Sequence, residues 1–364
     1  MIVSCDKKTF NSCVQQAVRV LSSRVAMPIL SGVLIECNEA QLVVKSTNLE
    51  MSLKAEAGAE VIEDGSSVVS GRILAEVVKN LKDENLKIET DEKYLSVKGE
   101  KGVYKIRQMK TEDFPKVAEW EGEKEISIPV KELVTTAGQI SKVSATDERR
   151  PVFTGILFEK KPETGGLRAV ATDSYRLAWR DLKLEEDTGS WESLIIPTRS
   201  IQEVARIAST LEENIEAKIQ NRQALFKIGN VTLAVRLIEG SFPNYNQLIP
   251  KEQKTTVTVE KEALLPLIKR ATIFGQKIKI DVSSNRLTVS SETPDIGDAW
   301  EEIEAEAEGE EVEIGFNGSY LIDGISGIEG EKALIEITSP EKPALVKDAE
   351  KNNYNYIIMP LRIK

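Results

Sequence analysis

The stretch AVATDSYRLAWR, residues 169–180, decides how this chain is read. It is an apolar run, a turn through Thr172-Asp173-Ser174, and an alternating run carrying Arg176 and Arg180. That order predicts two strands joined by a tight turn. The chain ends on a stretch that looks like a partner to it, YIIMPLRIK, residues 356–364. Together they predict a shallow apolar site edged by arginine, suited to a peptide and not to catalysis.

The same turn recurs. STNLEM, residues 46–51, lies about one repeat length before ATDSYR. Three units of roughly 120–130 residues follow one another. Each begins with a β-rich run passing into an amphipathic helix, at residues 2–21, 126–143 and 257–274. Phe10, Val14, Ala17, Val18 and Leu21 recur at helical spacing in the first, and Leu264, Leu267, Ile268, Ala271 and Phe274 in the third. Pro266 is expected near the first turn of its helix, where a missing N–H is tolerated. A set of strands comes next, then a second helix at residues 71–82, 197–209 and 317–326, then closing strands. The first two units end in Phe-Pro, at Phe114-Pro115 and Phe242-Pro243. Strands grouped apart from helices predict an α+β fold, with two helices per unit packed on one face of antiparallel sheets. The polar runs EWEGEKE and PKEQKTT act as linkers, giving domains at 1–121, 122–252 and 253–364.

Composition narrows the function. The chain has no histidine, which excludes Ser-His-Asp and Cys-His triads and histidine metal ligands. GxxxxGK[ST] and GxGxxG loops are absent as well. Three cysteines without CxxC spacing are expected to be reduced and buried. There is no run of about 18 apolar residues and no signal-peptide pattern, so the expectation is a cytoplasmic protein without a membrane partner. The net charge is −11, but eight glutamates fall between Glu301 and Glu313, so a locally basic face is still open to the rest of the chain.

The threefold repeat, ATDSYRLAW, FPNYNQLIP and the terminal IMPLR resemble the bacterial DNA polymerase III beta subunit family, the replication sliding clamps. SSRVAMPILSGVLIE near the start and EVEIGFNGSYLIDGI in the third unit resemble it too, and the likeness spans essentially the whole chain. The resemblance implies a head-to-tail homodimer closing a ring of six similar domains around double-stranded DNA. It implies loading by an ATP-driven clamp loader. It also implies tethering of the alpha-type replicative polymerase subunit and other partners through clamp-binding peptides. No catalysis and no cofactor are implied.

Carried over residue by residue, the family's peptide groove comprises Arg150, Phe153, Thr172, Ser174, Tyr175, Arg176, Leu177, Pro243, Gln247, Leu248, Pro343, Ile357, Ile358, Met359, Pro360, Leu361 and Arg362. Met359, Leu177, Leu248 and Phe153 are read as apolar wall, methionine suiting varied partners. Arg150 and Arg176 are read as facing ligand carbonyls or an acidic ligand residue. The family often has Gly-His where Ser174-Tyr175 stands and a basic residue at Gln247, so fine peptide preference is open. Ile363 and Lys364 extend past the usual end. DNA phosphates are expected to meet Arg24, Arg72, Lys79, Lys142, Arg199, Arg206, Lys269 and Arg270. Tyr104 and Ile106 from the first unit, with Ile273 and Phe274 from the third, are expected at the subunit seam. Two rivals stay open: a scaffold of the same fold that binds no DNA, and a carboxylate enzyme using Asp147 and Asp173.

Overall fold

The computed structural model describes residues 1–21, 27–161, 165–187, 189–210 and 214–363. Among these are six α-helices, which we number α1 (Lys7–Val20), α2 (Gly71–Asn80), α3 (Val130–Ile140), α4 (Thr198–Ala208), α5 (Lys261–Phe274) and α6 (Gly318–Ser326). The order strand, helix, five strands, helix, three strands occurs three times in succession. This is the repeat expected from the sequence: three successive units of helices plus antiparallel sheets.

Each first helix is placed by local chemistry. Asp6 caps α1, its carboxylate accepting the Thr9 N–H at 2.7 Å. Phe10, Cys13, Val14, Ala17 and Val20 form its buried face. Leu264, Leu267, Ile268 and Ala271 do the same for α5. One expectation is corrected there. Because α5 starts at Lys261, Pro266 falls in the second turn and removes the N–H that would bond the Glu262 carbonyl.

The chain divides into two compact units. One holds residues 1–130, 185–189 and 206–237; the other holds 131–184, 190–205 and 238–364. In the first unit a single 14-stranded antiparallel sheet joins the first repeat to the closing strands of the second. The join is Met51–Gly58 against Val231–Arg236, with Leu53 opposite Leu233. The other unit has a nine-stranded sheet and a four-stranded one. In the nine-stranded sheet, Arg176–Leu182 pairs with Tyr354–Ile358, joining the second repeat to the closing strand of the third. The four-stranded sheet begins at Gly297–Glu304 and ends at Val312–Asn317. Leu287, Val289 and Ser291, at every second position of one strand, are all buried.

The three cysteines are free and buried. Burial pushes the Cys5 and Cys37 thiols up to about 12 and Cys13 to about 11, so none is a ready nucleophile. No helix among the described residues is long and apolar enough to cross a membrane.

Candidate peptide groove and nucleic-acid faces

The groove starts from the turn. Asp173 Oδ1 accepts the N–H groups of Tyr175 at 2.9 Å and Arg176 at 3.0 Å. The Thr172 hydroxyl accepts the Ser174 N–H at 3.1 Å and donates to the Arg176 carbonyl at 2.7 Å. Short polar side chains thus saturate the turn while Ser174 takes a φ of 79°. The result is a rigid corner with Tyr175 at its tip, 61% exposed.

Behind the corner the strands bury their apolar faces. Leu177 lies opposite Ile357, and both are 2% exposed. They belong to a core of Leu157, Val170, Trp179, Ile195, Tyr245 and Leu345, with Val152, Ile238, Phe242 and Ile249 packed half-buried against it. The rim is apolar yet open. Leu248 is 49% exposed, Met359 41% and Leu361 38%. Phe153 meets Phe242 edge-on at 6.2 Å between ring centroids. The Arg150 guanidinium sits 5.3 Å from the Phe153 ring and donates to Ser174 Oγ at 3.0 Å. Pro243 and Gln247 are exposed beside Leu248, and Pro343 is half-buried. Pro360 is half-buried and Arg362 exposed at the far end.

Several expected groove residues lie under the surface and do not line it. Thr172 is a buried turn bond, and Ile358 is fully buried. Arg176 needs the largest correction. Its Nε donates to Asp173 at 3.0 Å, Nη1 to Asp323 at 2.7 Å and Nη2 to the Lys142 carbonyl at 2.6 Å. Its guanidinium also lies 4.1 Å from the centre of the Tyr320 ring. With its side chain 9% exposed and three of its five N–H groups bound inside the protein, Arg176 ties the corner to α6 and does not edge an open site.

A second buried arginine extends this polar layer. Arg180, 3% exposed, donates to Gln139 at 2.7 Å and Glu329 at 2.5 Å and pairs with Glu132 at 3.4 Å. Burial raises the Glu329 carboxyl, but Arg180 and Lys351 outweigh it and hold that group below the usual carboxylate range. Helix α6 is drawn close by glycine: a Cβ on Gly324 would lie 2.5 Å from Tyr356 Cδ1. Tyr356 and Tyr354 then donate to the Tyr320 and Gly324 carbonyls at 2.7 and 3.2 Å. Phe242, Tyr320 and Asp323 were not read from sequence. Phe242 had a signal in the Phe-Pro that ends its unit. Asp323 had none, lying 147 residues from Arg176.

The basic candidates divide. Arg72 and Lys79 are exposed on α2, Arg199 on α4 and Lys269 on α5. Arg206 is half-buried on α4. Lys142 is exposed and pairs with Asp323 at 3.7 Å. Arg270 is bound at both ends of its fork by Glu301, at 2.6 and 2.5 Å, so its charge is already matched. Arg24 and Lys364 lie outside the described residues. Of the seam candidates, Tyr104 is 45% and Ile273 75% exposed and Phe274 is half-buried. Ile106 is corrected: at 4% exposure it points into its own unit, because inward and outward side chains alternate along its strand.

The two carboxylates of the enzyme rival have structural work. Asp147 is gripped by Arg149, which holds it below the usual carboxylate range. Asp173 caps the turn and binds Arg176.

Three family models match: the N-terminal, central and C-terminal domains of the DNA polymerase III beta subunit, over residues 1–118, 127–244 and 246–362. The beta sliding clamp of Staphylococcus aureus is 27% identical over 368 residues, covering 97% of each chain. The sliding clamp structure from Bacillus subtilis superposes with a TM-score of 0.96 at 26% identity, covering all of both chains. The clamp from Pseudomonas aeruginosa bound to griselimycin gives 0.94 at 27% identity, again over all of both chains. The chain belongs to the DNA polymerase III beta subunit family, the bacterial sliding clamps.

Proposed function

We propose that two copies of this chain close into a ring around double-stranded DNA and tether the replicative polymerase through the groove at residues 172–177 and 357–362. The three domains are taken as 1–121, 122–252 and 253–364. One observation carries the ring. The joins Met51–Gly58 with Val231–Arg236 and Arg176–Leu182 with Tyr354–Ile358 are equivalent in the repeat. Each sets a mid-domain strand of one repeat against the closing strand of the next. The same rule leaves Gly297–Glu304, at the end of its sheet, and Val103–Met109, joined to Gly65–Ser70 only through Met109 and Gln108.

Open edges are costly unless paired. Here they complement each other: Lys105 and Arg107 are exposed on one, Asp298, Glu302 and Glu304 on the other. Pairing them between subunits repeats the internal joins a third time and closes the ring head to tail. Val103, Tyr104 and Ile273 supply the apolar part of that contact, and Phe274 backs it.

DNA is held through phosphates by dispersed cations, not by base reading. Arg72, Lys79, Arg199 and Lys269 are the best placed, with Lys142 and Arg206 contributing and Arg270 least free. A clamp loader driven by ATP opens the ring. Acting on the chromosome places this work in the bacterial cytoplasm. Polymerase and other partners present a short apolar peptide to Met359, Leu248, Tyr175 and Phe153.

The test is topological. The purified dimer, loaded on nicked circular DNA, is retained through gel filtration and lost when the DNA is linearised. Equal retention on both forms sinks the reading.

A further inference from the structure

We propose that the C-terminal tail, residues 359–363, is a strap seated on Gly315, and that Gly315 and Ile363 are positioning residues that set the exposed wall of the groove. This rests on the reading of that wall as the peptide site. The strap is fixed at two points. The Met359 N–H donates to the Tyr175 carbonyl at 2.9 Å, and the Leu361 N–H donates to the Gly315 carbonyl at 2.8 Å. Pro360 between them has a locked φ and no donor to satisfy. Met359 and Leu361 therefore project from a segment held at both ends, which is why they stay exposed in a defined place.

The seat depends on glycine for space. Gly315 is central in strand Val312–Asn317 and pairs with Lys279. Side chains at 313, 315 and 317 share one sheet face. Glu313 on that face is exposed and Asn317 half-buried, yet Gly315 is buried, because the tail lies over it. A Cβ there would stand 2.7 Å from the Leu361 carbonyl oxygen and 3.0 Å from Ile363 Cγ1. The first neighbour is backbone and cannot swing aside, so the tail must lift. Ile314 and Phe316 are fully buried on the opposite face, so the domain core is spared. Ile363, half-buried, adds a side-chain contact beside the glycine and lines a cleft with Lys277, Lys279 and Trp300. Strap position, and not only groove composition, then governs partner affinity.

The experiment compares the full-length dimer with Gly315→Ala, Ile363→Ser and Met359→Ala. The probe is a fluorescein-labelled peptide from the cognate replicative polymerase, read by anisotropy. Gly315→Ala is expected to weaken binding at least ~10-fold and Ile363→Ser about 3-fold, for a wall that no longer stands in place. The Leu361 amide should exchange hydrogen faster in Gly315→Ala, with dimer mass and melting temperature unchanged. Unchanged affinity in Gly315→Ala beside a loss in Met359→Ala overturns the strap. Unchanged affinity in Met359→Ala overturns the groove reading itself, and Leu361 exchange still reports on the strap. If Gly315→Ala fails to fold, Ile363→Ser decides: wild-type affinity and exchange there reject the proposal.

Discussion

The two internal joins of this chain use one turn and end in opposite surfaces. At the first, Thr47 Oγ1 donates to the Met51 carbonyl at 3.1 Å and Asn48 Oδ1 accepts the Met51 N–H at 2.8 Å. At the second, Thr172 and Asp173 make the same bonds to Arg176. Leu49 and Ser174 both take positive φ, 75° and 79°. The closing strand also matches: the Arg236 N–H donates to Glu50 as the Met359 N–H donates to Tyr175. Yet methionine and arginine have exchanged places. The first join buries Met51 and exposes Arg236, while the second leaves the Arg176 side chain only 9% exposed and exposes Met359. Their outer faces differ accordingly. Near the first, Glu119 of the linker bridges Lys45 at 3.0 Å and Lys54 at 3.2 Å. At the second stands the apolar rim around Leu177 and Ile357. A repeat thus makes two equivalent joins, and one exchange of side chains separates the second, the proposed docking surface, from the first.

Exchanging the residues back tests this most severely. Arg176→Met leaves Asp173 without its cation and Asp323 with only the more distant Lys142 at 3.7 Å, and should cost about 3 kcal/mol in denaturant unfolding. Met51→Arg puts a cation where only Asn48 stands in for Asp173, and should cost a similar amount. If both substitutions are tolerated within about 1 kcal/mol, the buried ion cluster is not what distinguishes the joins.

The next effect is smaller and depends on pH. Glu329→Gln leaves Arg180 with weaker partners and should cost about 2 kcal/mol at neutral pH. The folded carboxyl titrates below its unfolded value, so its contribution is complete above the unfolded pKa. It fades as pH falls through the lower folded value. The gap in melting temperature between wild type and variant should therefore start to narrow below the unfolded carboxylate value of about 4.3 and close only below the lower folded one. A gap that persists in acid would show that shape, not charge, carries the contact.

Surface changes come after these. Met359→Arg, imitating Arg236, should weaken peptide binding about 10-fold by removing apolar wall, with stability unchanged. Arg236→Met should not create a binding site, since Lys45, Lys54 and Glu119 still cover that side.

These comparisons also mark how far the sequence could be read. The repeat was legible because element order recurs at a nearly constant spacing. The corner was legible because Thr-Asp-Ser is turn chemistry over four residues. The buried state of Arg176 was not, since Asp323 is remote in sequence and the Lys142 acceptor is a backbone carbonyl. Ile106 was misread because outward and inward positions on an edge strand differ by one residue, and composition does not fix that register. The strap at Gly315 escaped for a similar reason: a glycine in a strand announces close approach but not of what.

The smallest expected effect tests the equivalence of the turns themselves. An L-residue in the left-handed region is strained by roughly 1 kcal/mol, and glycine relieves this while adding disorder to the unfolded chain. The two contributions nearly cancel. Leu49→Gly and Ser174→Gly should each change stability by less than about 0.5 kcal/mol, and by the same amount within error. Leu49, 54% exposed, loses little burial on truncation, so the backbone contribution dominates at both sites. A clear difference between them, read as separate urea midpoints at equal slope, would mean that the matching hydrogen bonds hide unequal strain. Ser174 would then hold its φ through its own side-chain contact to Arg150, a device the first turn lacks.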